Sequence, residues 1–227
     1  MSIVNFCIHP DRALVGVDTI AGPAGGPHVR VSKLFPFVHA NFVLAGRGHI
    51  GLLGIVATMA LQMQDDMDAL ETGMPKVLAA AFDMFVRAAH RSGIVANLDE
   101  QEIALIGWSP RRHSMIGLHY VQATAATGFA VREVDGTALS PGAAAFPGGR
   151  MPDDEPDSRE RMEQFAVTQA EWLRREFPGI AVGGKLVVVE ITRDLMVMSN
   201  RALRSSSLDE PNLSWCAGFG GARRGKH

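Results

Sequence analysis

The stretch SIVNFCIHPDRALVGVD, Ser2 to Asp18, reads as two short strands folded back on each other. Ile3 to Ile8 and Ala13 to Val17 are apolar and partly β-branched, and His9-Pro10-Asp11-Arg12 between them is turn chemistry. Thr19 to His28, with Gly22, Gly25 and Gly26 among Ala and Pro, predicts a loop that ends the second strand. Val31 to Val38 and Asn41 to Ala45 predict a second hairpin, with Pro36 suited to an edge or a bulge. A chain that opens on two hairpins does not open on a βαβ unit.

Gly46-Arg47-Gly48 leads into Ile50 to Met63, an apolar run long enough for a buried helix. Pro75 is expected to open a second helix, closed by Ser92-Gly93. Val77, Leu78, Ala81, Phe82, Phe85, Val86 and Ala89 lie on its apolar face, and Lys76, Asp83, Arg87 and Arg91 on its wet one. Three strands are expected next, at Glu102 to Trp108, Met115 to Val121 and Gly128 to Val134. Ile103 to Ile106 lacks alternation, as in a sheet covered on both faces. Asp135 to Asp157, broken by Pro141, Pro147, Pro152 and Pro156, predicts a loop or lid with no fold of its own. Ser158 to Phe177 predicts a helix burying Met162, Phe165, Ala166, Gln169, Trp172 and Leu173. Lys185 to Ile191 and Leu195 to Ser199 predict a last hairpin. This order disfavours a doubly wound parallel sheet. It points to an α+β fold: a four-layer αββα sandwich of two antiparallel sheets flanked by helices. Residues 2–200 are expected to form one domain and 201–227 a C-terminal tail, flexible or docked on a neighbouring subunit.

Composition narrows the function. Hydrophobic residues make up 47% of the 227 and charged residues 20%, ordinary globular usage that excludes a wholly disordered or collagenous chain. Twenty-two Lys and Arg against 24 Asp and Glu leave a net charge of −2, without the basic excess of a phosphate-neutralising protein, so no nucleic-acid partner is expected. The apolar run His49 to Met63 is shorter than the roughly 20 residues a span needs, so no membrane partner is expected either. No secretory signal is read at the start, and Cys7 and Cys216 form no CxxC pair. A reducing cytoplasm fits.

Ser2 follows the initiator Met directly, and a small second residue allows that Met to be removed. A free α-amine titrates near about 8, so a useful fraction at neutral pH can take the proton of its own hydroxyl, making one residue nucleophile and base. Four landmarks accompany it: Ser2-Ile3-Val4, Ala13-Leu14-Val15-Gly16-Val17-Asp18, Ser32-Lys33-Leu34-Phe35 and Ala45-Gly46-Arg47. In that spacing the first sixty residues or so resemble the opening of a proteasome β-type subunit, an N-terminal nucleophile (Ntn) hydrolase. The resemblance implies an Ntn hydrolase-like fold and cleavage of peptide or amide bonds, with Ser2, Asp18 and Lys33 catalytic and the backbone N–H of Gly46, or of Arg47 beside it, binding the oxyanion. It also implies a homo-oligomeric ring or stack of rings enclosing the sites.

Each role has its own physical reason. An ammonium at Lys33 would lower the pKa of the Ser2 amine, and Asp18 would hold Lys33 charged and oriented. An N–H at the start of the first helix meets developing negative charge, and losing one such donor typically costs about 3 kcal/mol of barrier reduction. The chain departs from the family by carrying Ser for the customary Thr. It also lacks the family's Ser-Gly pair and its late Asp and Ser; the corresponding stretches read Phe146-Pro147-Gly148-Gly149 and Phe177 to Gly184. Two alternatives therefore stand beside the hydrolase: a catalytically inactive subunit of the same fold acting as an oligomeric scaffold, and a small-molecule amidase of Ntn type outside the proteasome group. Singly, Ser2 also reads as an ordinary start residue, Asp18 as a turn former and Lys33 as a surface charge.

No cofactor is expected. The eight His, at 9, 28, 39, 49, 90, 113, 119 and 227, form no HxH or HExxH group, so no metal site is read. Cys7 lies in a strand without a paired His and reads as a buried structural thiol. Gly22 to Gly26 lacks the spacing that cradles phosphate, and the eleven Met read as core filler.

Overall fold

In a computed structural model, which describes residues 2–22, 26–63, 66–93, 98–150, 152 and 155–203, the opening stretch forms the expected hairpin. β1 (Val4–Ile8) and β2 (Arg12–Asp18) pair antiparallel from Val4 opposite Val17 to Ile8 opposite Ala13. The chain continues through β3 (Ile20–Ala21), β4 (Val29–Arg30), β5 (Leu34–Phe37), β6 (Phe42–Arg47), α1 (Ile50–Met63), α2 (Met67–Arg91), β7 (Gln101–Ser109), β8 (Ser114–Gln122), β9 (Ala130–Val134), β10 (Gly136–Ser140), α3 (Arg159–Glu176), β11 (Lys185–Thr192) and β12 (Met196–Ala202). This is a mixed α+β chain with antiparallel sheets. One five-stranded sheet runs β10-β1-β2-β11-β12, another β5-β6-β7-β8-β9, and β3 and β4 form a two-residue ribbon.

Strand periodicity explains how the pieces stack. In β2, Ala13, Val15 and Val17 join a buried cluster with Val43 and Ala45 of β6 and Ala104 and Ile106 of β7, so the two sheets share a core. The alternate residue Leu14 turns the other way, onto Met162, Ala166, Ala170 and Leu173 of α3. On the second sheet Ile103 and Leu105 likewise face away from the shared core, onto Leu52, Val56, Leu70, Val77 and Leu78 of α1 and α2. The lack of alternation in Ile103 to Ile106 follows, because both faces of β7 are covered. Gly16 lets α3 come close, since a Cβ there would stand 2.9 Å from Met162 Cγ. At Gly107, opposite Phe42, a Cβ would meet Phe42 Cβ at 2.5 Å and the Asn41 carbonyl at 2.7 Å. Gly107→Ala must push rigid backbone aside, an expected loss of about 1–3 kcal/mol. Thermal melts should show it as a Tm lowered by about 2–4 °C per kcal/mol.

Four sequence expectations are corrected. The second helix starts at Met67, because the Asp66 carboxylate accepts a bond from the Ala69 N–H at 2.8 Å and caps it. Pro75 lies inside this helix, and Met67, Leu70 and Met74 extend its buried stripe upstream. The strand expected over 31–38 shortens to β5, because Val38–Ala40 makes a single 3₁₀ turn closed by Asn41 at φ 49°. The loop expected over 19–28 carries β3, half of the small ribbon. The loop expected over 135–157 opens with β10, which pairs along all of β1 from Val4 opposite Ser140 to Ile8 opposite Gly136. Thr137, Ala138 and Leu139 carry little local strand signal, and the long-range ladder supplies what propensity does not. β12 runs to Ala202 and Leu203 is buried, while 204–227 of the expected tail lies outside the described residues.

Candidate active site

Asp18 ends β2 and is fully buried. Its Oδ1 accepts from the Ile3 N–H at 2.9 Å and its Oδ2 from the Gly183 N–H at 3.1 Å. Oδ1 also meets Lys33 Nζ at 2.8 Å, so the carboxylate holds two backbone donors and one cation. Lys33 stands just before β5, only 4% exposed. Its ammonium donates to Asp18, to Ser2 Oγ at 2.8 Å and, in a short contact, to the Ile20 carbonyl, which the β3/β4 ribbon presents. Ser2 is 7% exposed. The sequence thus places three chemistry-bearing side chains, 15 and 31 residues apart, within hydrogen-bonding contact in a buried spot.

The electrostatics assign roles. Burial pushes the Lys33 ammonium below the usual lysine range, against the opposing pull of the Asp18 charge and hydrogen bond. Three acceptors surround its three protons, so in this arrangement it is a donor toward Ser2 Oγ. A donor there stabilises negative charge growing on Oγ. The proton itself needs another acceptor, and a freed Ser2 α-amine would be the nearest by covalent structure.

The expected oxyanion donors are not free. The Gly46 N–H donates to the Lys33 carbonyl at 3.0 Å in the β5/β6 ladder. N–H groups alternate sides along a strand, so that of Arg47 faces β7, where Glu102 is its register partner. The next residues serve the start of α1: the His49 N–H donates to Gln101 Oε1 at 2.7 Å. Of the two stretches 146–149 and 177–184, the second reaches the site through backbone, by the Gly183 bond to Asp18. In the other, Phe146 stacks edge-on against Phe165 of α3 at 5.5 Å.

Two features escape the sequence reading. Asn5 and Gln169, both fully buried, exchange side-chain bonds of 2.6 and 3.0 Å; Gln169 also donates to the Pro141 carbonyl at 2.6 Å, and the Ser140 N–H donates to Asn5 Oδ1 at 3.3 Å. This network ties β1, α3 and the end of β10 beside Ser2. Its signal was a Gln on the apolar stripe of α3. The second is a cavity of about 380 Å³, walled by Val4, Arg47, Glu102, His119, Arg132 and Ser140. Val4 lies two residues past Ser2 and joins the core between the sheets. Arg47 Nη1 donates to Glu102 Oε1 at 2.5 Å and to Ser140 Oγ at 3.0 Å. His119 Nδ1 accepts from Arg132 Nε at 3.2 Å while Nε2 lies 3.3 Å from Glu102 Oε2. Burial alone would raise the Glu102 pKa, but the His119 hydrogen bond and the Arg47 charge outweigh it and hold the carboxyl below the usual range.

Cys7, read as a thiol without a partner, has one: His9 Nε2 lies 3.4 Å from its Sγ. Among the described residues no helix is long and apolar enough to cross a membrane. Compared with known proteins, the chain matches no family model and no curated protein sequence.

Proposed function

We propose that the chain is an amide hydrolase of the N-terminal nucleophile type, proteasome-like, working through Ser2 after removal of Met1. The observation that carries this reading is the buried contact of Lys33 with both Ser2 Oγ and Asp18. The stacking of helix pair, sheet, sheet and helix supports it as a four-layer αββα sandwich of Ntn kind. In the proposed reaction Ser2 Oγ bonds to the substrate carbonyl carbon as its proton passes to the Ser2 amine. The amine hands that proton to the departing nitrogen as the C–N bond breaks, leaving an ester on Ser2. Water then adds with its proton again taken by the amine, and the ester C–O bond breaks to restore the hydroxyl. The cavity beside Val4 would hold the residues flanking the scissile amide. The same reading takes peptide or amide as substrate, needs no cofactor, and sets the chain in a cytoplasmic homo-oligomer, a ring or stacked rings.

A second reading is a catalytically inactive scaffold of the same fold, favoured by the Gly46 N–H being spent on Lys33. One experiment separates the two. Intact mass should show Met1 lost, and a serine-directed electrophile such as a β-lactone should add one equivalent that maps to Ser2 and vanishes in Ser2→Ala. Retention of Met1, or labelling unchanged in Ser2→Ala, hands the chain to the scaffold reading.

A further inference from the structure

A second group of reactive side chains gathers around Cys7, at the far end of β1 from Ser2. Cys7 Sγ is buried and lies 3.4 Å from His9 Nε2, and Glu155 Oε2 lies 4.0 Å from the same nitrogen. All three donor atoms fall within 4.8 Å of one another. The shared nitrogen decides what the group can do. A thiol–imidazole–acid relay needs the carboxylate on the ring nitrogen remote from the sulfur, to orient the ring while the near nitrogen takes the thiol proton. Here thiol and carboxylate both address Nε2, so no relay is possible in this arrangement. Three donors converging on one point are what a metal ion requires.

The distances suit one ion class. With Zn–S about 2.3 Å and Zn–N about 2.0–2.1 Å, a tetrahedral site has an S···N edge of about 3.5 Å. The Cys7–His9 pair already has that edge, at 3.4 Å. Glu155, about half exposed, has to close its 4.0 Å gap to Nε2 by about 0.6 Å to reach a tetrahedral N···O edge of about 3.4 Å. A thiolate with an imidazole selects zinc-like ions over magnesium or calcium, which take oxygen ligands. Thr137 Oγ1, 3.5 Å from Sγ, supplies a donor that would support a bound thiolate and fix its direction.

We propose that Cys7, His9 and Glu155 bind one Zn²⁺ through Sγ, Nε2 and a carboxylate oxygen, with the fourth position taken by water. Binding expels the thiol proton, forming the S–Zn bond. The ion joins the turn after β1 to the segment that leads into α3, two parts of the chain otherwise 146 residues apart.

Metal-free, untagged full-length protein titrated with ZnCl₂ tests this. One Zn²⁺ per chain should bind with release of one proton. Co²⁺ in its place should give a near-ultraviolet thiolate-to-metal charge-transfer band. His9→Ala and Glu155→Gln, both at partly exposed positions, should stay folded by circular dichroism, each weakening Zn²⁺ binding at least about tenfold. Cys7→Ser should abolish the Co²⁺ band. Binding below one ion per chain, affinity unchanged in His9→Ala, or a Co²⁺ adduct without the thiolate band overturns the proposal. None of these readouts depends on Ser2.

Discussion

Lys33→Met is expected to cost the fold about 3–5 kcal/mol at neutral pH, because it strips the cation from a carboxylate that has no access to water. Asp18 is 0% exposed, and without Lys33 it keeps only the N–H groups of Ile3 and Gly183. Methionine matches the lysine stem closely enough that lost volume is a minor part of the effect. Urea denaturation measures it. The double variant Lys33→Met/Asp18→Asn should recover much of the loss, since an uncharged amide no longer needs the ammonium. A single variant as stable as the wild type would mean that water or another cation reaches Asp18. If the hydrolase reading holds, both variants also lose electrophile labelling at Ser2, including the one whose stability returns. Restored stability with absent labelling is what separates a chemical role for Lys33 from a merely structural one.

Arg47→Met is the second large effect. Arg47 and Glu102 are each 14% exposed and 2.5 Å apart, and His119 and Ser140 go on donating to Glu102 when the guanidinium is gone. The expected loss at pH 7 is therefore smaller than at Lys33, about 2–3 kcal/mol. Its pH dependence identifies its origin. The Glu102 pKa is depressed in the folded state below its ordinary value of 4.5, so its stabilisation is present above that value and is lost as pH falls through the folded one. The difference between wild type and Arg47→Met should be full at pH 7 and shrink at acid pH, as the pH falls below 4.5 and through the depressed folded value of the wild type. A difference of the same size at both pH values would assign the cost to packing of the arginine stem instead.

What was legible in the sequence was what rests on local pattern. The first hairpin, α1, β7, β8, α3 and the β11/β12 hairpin all have apolar periodicity and turn residues that agree with the tertiary outcome. Ser2, Asp18 and Lys33 could be singled out together because their joint spacing resembles the opening of a proteasome β-type subunit; singly, each had an ordinary reading. The missed parts are those decided by distant partners. β10 is a strand because β1 is there to pair with it, 130 or so residues away in the chain. Gly46 was expected to offer its N–H to a substrate, yet which side of β6 that N–H faces depends on the β5 register, which hydrophobic pattern does not settle. Asn5 stood inside an apolar strand and Gln169 on an apolar helix face. Each looked like a blemish until the fold set them against each other. Pro75 was read as a helix start because a proline is most comfortable there, while the capping carboxylate of Asp66 and three buried residues upstream outweigh its missing N–H.

The sheet order β10-β1-β2-β11-β12 also bears on biosynthesis. β1 and β2 are flanked in the finished sheet by strands translated far later, β10 ending at Ser140 and β11 at Thr192. At roughly 5–20 residues per second, the β1/β2 hairpin waits on the order of ten seconds or more before both its neighbours exist. Throughout that interval Ser2 lacks the cover it has in the completed fold, which buries it almost entirely. On the proposed hydrolase reading, removal of Met1 would precede the closing of this sheet.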